Sequence, residues 1–121
     1  MLNRFKVKAG QTSLILPVFI EDASNPEAGK TGLAYDTSSL RAYYKREGDA
    51  DVTEITLATM TEGTWATGGF VKMDDTNVPG FYELSVPDAV IAKGTARWAV
   101  VSLGGAADMY ETPIFIELDP Q

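Results

Sequence analysis

The sequence predicts an all-β fold, an antiparallel Ig-like β-sandwich of seven to nine strands with one short helix. Three observations carry this expectation. Short apolar or alternating runs recur along the chain and are broken by Gly, Pro, Asn and Asp. The breaks fall at roughly the 8–12-residue spacing of sandwiches and barrels. No long amphipathic stretch is present to supply the helical crossovers of a parallel α/β sheet. With 121 residues, of which 45% are hydrophobic and 22% charged, the chain suits one domain with its own core. That domain spans residues 1–121, with residues 1–12 as an N-terminal arm.

Each element follows from local chemistry. Residues 5–8 form a short first strand. Residues 13–20 form a second, with Leu14, Leu16, Val18 and Ile20 on one face. Pro17 cannot donate to a ladder, so it marks an edge or a switch between sheets. Residues 22–31, which include Pro26 and Gly29, are a polar loop. Residues 40–46 then alternate, with Leu40, Ala42 and Tyr44 on one face and Arg41, Tyr43 and Lys45 on the other. A turn over 47–51 leads to a strand over 52–58. Residues 61–69 are an exposed connection in which Trp65 caps the edge of the core.

A strand over 69–73 ends at Asp74-Asp75-Thr76-Asn77. Pro79-Gly80 marks a tight turn before a strand over 81–86, where Tyr82, Leu84 and Val86 share a face. Residues 87–94 are the one helix-like stretch, opened by Pro87 and closed by Gly94, about two turns long. A strand over 95–103 puts Trp98 and Val100 on one face. Gly104-Gly105 turns the chain, and a last strand over 110–118 directs Ile114, Ile116 and Leu118 inward.

Composition narrows the function classes. There is no cysteine and no histidine. Disulfides, thiolate nucleophiles and zinc–thiolate sites are therefore ruled out, as are the commonest metal ligand and the commonest proton-transfer residue near neutral pH. A net charge of −7 argues against a nucleic-acid backbone as partner, since that contact needs a basic footprint. No segment approaches the roughly 20 apolar residues that cross a bilayer. Arg4, Lys6 and Lys8 ahead of the apolar run 14–20 superficially imitate a signal peptide, but Gly10-Gln11-Thr12-Ser13 separates them and no cleavage pattern follows. That run reads as a core strand.

Motif by motif, ordinary structural roles prevail. Ala28-Gly29-Lys30-Thr31 matches the end of a phosphate-binding loop, but Ser24 stands where the first glycine belongs and no helix follows. Asp74, Asp75 and Asn77, like Asp49 and Asp51, carry oxygen donors without the spacing of a calcium loop, and such residues commonly form turns. Glu83, Glu111 and Glu117 lie at outward strand positions, where solvated carboxylates are expected and no buried acid–base pair is suggested. No nucleophile elbow is present. Trp65, Phe70, Phe81, Tyr82 and Trp98 suit a core better than a sugar-stacking platform. No catalytic residue, cofactor or metal is expected. The candidate interface residues are the basic set Arg4, Lys6 and Lys8, the exposed set Arg41, Tyr43 and Lys45, and Trp65. An aromatic between two cations suits a protein interface.

Several segments together resemble one family. Residues 31–46, TGLAYDTSSLRAYYKR, are followed by Ile55-Thr56-Leu57-Ala58-Thr59, then Gly68-Gly69-Phe70, and then Asp74, Pro79, Gly80, Tyr82, Leu84, Pro87, Asp88 and Ala89. This pattern is similar to an Ig-like structural module of tailed-bacteriophage virion proteins, found in tail, fibre or capsid-associated chains. The resemblance covers about residues 31–118, and many of its positions are turn and core residues. It implies a non-enzymatic virion structural or accessory protein, either a capsid decoration or a head–tail or tail component, assembled in the host cytoplasm. The implied partners are other virion proteins and further copies of this chain. An adhesin-like module binding a glycan or host surface is the alternative expectation.

Overall fold

The computed structural model describes residues 3–119. Among them are eight strands: β1 (Asn3–Lys8), β2 (Ile15–Phe19), β3 (Arg41–Arg46), β4 (Thr53–Ile55), β5 (Phe70–Asp74), β6 (Val78–Ser85), β7 (Trp98–Gly104) and β8 (Thr112–Asp119). A five-stranded sheet runs in the order β1-β8-β7-β3-β4, and a three-stranded sheet in the order β2-β6-β5. Hairpins join β3 to β4, β5 to β6 and β7 to β8 within a sheet. The remaining connections cross between sheets, giving a two-sheet β-sandwich. The pairing is antiparallel except at β1, which lies parallel to β8.

Alternation decides which residues meet between the sheets. Leu16 and Val18 of β2, with Ile20 beyond it, pack with Phe70 of β5 and with Tyr82 and Leu84 of β6. The facing sheet contributes Val7, Ala42, Ile55, Ala99, Val101, Leu103, Ile114, Ile116 and Leu118. Phe70 and Tyr82 stack with ring centroids 4.9 Å apart. The buried amide of Asn3 bonds both the N–H and the C=O of Phe19, each at 3.1 Å, and so ties β1 across to β2. This satisfies backbone groups that an edge strand would otherwise leave open.

The expected elements differ from the structure in four places. Pro79-Gly80 is not a turn. It lies inside β6, and the β5–β6 hairpin turns at residues 75–77 instead. There Asp74 accepts bonds from the N–H groups of Thr76 and Asn77 and from the Asn77 amide, which hold its carboxyl below the usual range. The helix-like stretch is a single 3-10 turn over Asp88–Ile91, because Val90 and Ile91 are drawn into the core after one turn. The strand over 52–58 shortens to β4. At the far end of the 61–69 connection, Gly68 and Gly69 are buried rather than exposed. Pro17, by contrast, stands exposed on β2, an edge strand, where its missing N–H costs no ladder bond.

Candidate protein-contact face

The outer face of the five-stranded sheet gathers most of the candidate residues. Because Asn3 and Val7 of β1 point inward, Arg4, Lys6 and Lys8 point out. Because Ala42 of β3 is buried at the core, Arg41, Tyr43 and Lys45 share the opposite side. The register then sets them in rows. Arg4 lies beside Phe115, which lies beside Val100, which lies beside Lys45. The next row runs Pro113, Ser102, Tyr43, Glu54, and the row on the other side runs Lys6, Glu117, Trp98. Two sets of cations that are distant in sequence thus flank one surface, with β8 and β7 between them.

The middle of that surface is apolar. Tyr43 and Val100 are each 39% exposed, large values for such side chains on a regular strand. Trp98 and Phe115 are half-buried beside them. The Arg4 guanidinium sits 4.6 Å from the centroid of the Phe115 ring, a cation–π contact that covers part of it. Arg41 faces Glu54 at 3.8 Å and Lys6 faces Asp119 at 3.7 Å, and all four side chains are about half exposed or more. Exposed pairs of this length hold their partners weakly. At the foot of the sheet Arg97 makes a multidentate pair with Glu47, donating from its backbone N–H at 2.8 Å as well as from its guanidinium. Those bonds hold the Glu47 carboxyl at about 2. They also fasten the β3–β4 turn to the start of β7.

Trp65 lies elsewhere. Its indole N–H donates to the Val86 carbonyl at 3.0 Å, so the 61–69 connection folds against the far side of β6. The same connection is held by Gly63 N–H on the Glu83 carboxylate and by Ala66 N–H on the Ser85 hydroxyl. The aromatic residues do not share one surface. Phe70 and Tyr82 are in the core, Phe81 packs on Phe19, and Trp98 lies on the five-stranded face. Gly29-Lys30 runs as an extended segment whose Lys30 N–H bonds Ile20. Asp75 accepts from Gly32 N–H and pairs with Lys72.

Phe115, Val100, Glu111 and Glu117 join the face although the sequence pattern drew no attention to them as contacts. The signal was present for β8. With Ile114, Ile116 and Leu118 directed inward, Phe115 and Glu117 must point out. No protein-family model, no curated protein and no solved structure matches the chain at a significant level, so the face is read from its own geometry.

Proposed function

We propose that this chain is a non-enzymatic structural or accessory protein of a bacteriophage particle, acting through protein–protein contacts made by the outer face of the five-stranded sheet. The observation that carries the contact role is the strip of exposed Tyr43 and Val100 with half-buried Trp98 and Phe115, bounded by charged residues on the flanking strands. An aromatic and aliphatic centre within a charged rim is the usual anatomy of a protein interface. The virion assignment rests on the resemblance of residues 31–118 to tailed-phage Ig-like modules, carried by residues in β3, β5, β6 and the 3-10 turn.

The test is quantitative mass spectrometry of purified particles, counting copies of this chain per virion. Hundreds of copies indicate a capsid coat, whereas a few to a few tens indicate the neck, tail or baseplate, both on the order set by symmetric assembly. Absence from the particle contradicts the proposal and favours the adhesin-like reading.

A further inference from the structure

We infer that the outer face of the five-stranded sheet pairs with the same face of a second copy, about a two-fold axis running along β7. This rests on the reading of that face as a contact surface and names its occupant. The charges on the face alternate strand by strand. Strand β1 carries Arg4, Lys6 and Lys8, and β8 carries Glu117 and Asp119, with Glu111 immediately before it. Strand β7 presents only Trp98, Val100 and Ser102. Beyond it β3 carries Arg41 and Lys45, and β4 carries Glu54. Reading outward from β7, the signs on one side are the reverse of those on the other.

That pattern is self-complementary under one symmetry operation. A two-fold axis along β7 exchanges β8 with β3 and β1 with β4, and it keeps each residue at its own level along the strands. Glu111, whose carboxylate lies over Gly104, then meets Arg41 of the second copy, because Arg41 is the cross-strand partner of Gly104. Phe115 meets Lys45, while Glu117, level with Trp98, meets the level of Glu47, whose carboxylate Arg97 already holds. Pro113 meets Tyr43, and Arg4 of β1 stands two residues along the strands from the level of Glu54. Along the axis Val100 meets Val100. An axis across the strands would instead lay β1 on β1 and β3 on β3, cation against cation, which is unfavourable.

The area suits a reversible dimer. Five strands spaced about 4.8 Å apart and roughly 20 Å long present on the order of 500 Å² per copy, or ~1,000 Å² for the pair, at the lower limit of specific interfaces. The weak pairs Arg41–Glu54 and Lys6–Asp119 are exposed enough to be shared with a second copy.

Sedimentation velocity of the full chain tests this. The wild type is expected to pass from monomer to dimer as concentration rises, with a dissociation constant of roughly 1–100 μM. Arg41→Glu places a carboxylate against Glu111 of the second copy, and Glu111→Lys places an ammonium against Arg41 of the second copy. Each variant should weaken self-association at least about tenfold. An equimolar mixture of the two should recover a heterodimer, because position 41 of each then faces an opposite charge at position 111 of the other. Circular dichroism on each variant confirms that the fold is retained. A wild type that stays monomeric, or a mixture that fails to associate, overturns the dimer. A monomer that is nevertheless found in particles overturns only the dimer, whereas a dimer absent from particles overturns only the virion assignment.

Discussion

Gly80→Ala is expected to destabilise the fold by about 3–5 kcal/mol, seen as a fall of roughly 12–20 °C in the thermal midpoint. Gly80 lies in β6 where the 28–31 segment crosses it, and its φ is +89°, a region that L side chains rarely adopt. A Cβ there would stand 2.5 Å from the Cα of Gly29, 2.8 Å from the Phe19 ring and 3.0 Å from the Ile20 carbonyl oxygen. Backbone on two sides cannot give way as a flexible side chain can. Gly48→Ala separates the two causes. Gly48 has φ +90° but nothing within 4 Å of its added Cβ, so only the conformational strain remains, about 1–2 kcal/mol. If thermal unfolding finds Gly80→Ala no more costly than Gly48→Ala, the backbone crossing is not the tight contact described here.

Tyr82→Phe is expected to cost about 1–3 kcal/mol although it removes a single oxygen. The Tyr82 hydroxyl donates to the Lys30 carbonyl at 2.7 Å and accepts from the Leu33 N–H at 3.3 Å, so it pins the long β2–β3 connection from beneath. Deleting it leaves both backbone groups without that partner. The same hydroxyl gives the effect a pH signature. Burial, with a smaller contribution from nearby Asp75, pushes its pKa up to about 12, against the usual value near 10. A group whose folded pKa is raised contributes stability that is complete below its unfolded pKa and fades as pH rises through the folded one. The gap between wild type and Tyr82→Phe, measured by urea unfolding, should therefore hold below pH 10 and shrink between pH 10 and 12. A gap that widens over that range would contradict the buried, neutral phenol.

Legibility in the sequence follows burial. Strands β2, β3 and β8 each have one face in the core and one in water, so their alternation named their inward residues correctly. Where the backbone does something that side chains do not announce, the pattern misled. Pro79-Gly80 has the composition of a turn, yet Gly80 is in β6 because the 28–31 segment needs a residue without a Cβ there. Residues 87–94 have helix-end residues at both ends, yet only one 3-10 turn forms, since Val90 and Ile91 are taken into the core. At the contact face, the outward positions of Arg41, Tyr43 and Lys45 were readable from period-two alternation alone. Their union with Arg4 and Lys6 was not. It depends on β1 pairing with β8, and β8 with β7, across most of the chain length, which is a non-local register that no short window contains.

The most direct measurement is hydroxyl-radical footprinting of this chain, free in dilute solution and within purified particles. Tyr43, Trp98 and Phe115 report on the five-stranded face, while Tyr35 and Tyr110, 41% and 45% exposed and outside its strands, serve as internal references. Assembly through this face predicts that Tyr43 and Trp98 lose most of their reactivity in the particle while at least one reference tyrosine keeps its own. Equal labelling of Tyr43 in the free and assembled states would contradict that role for the face.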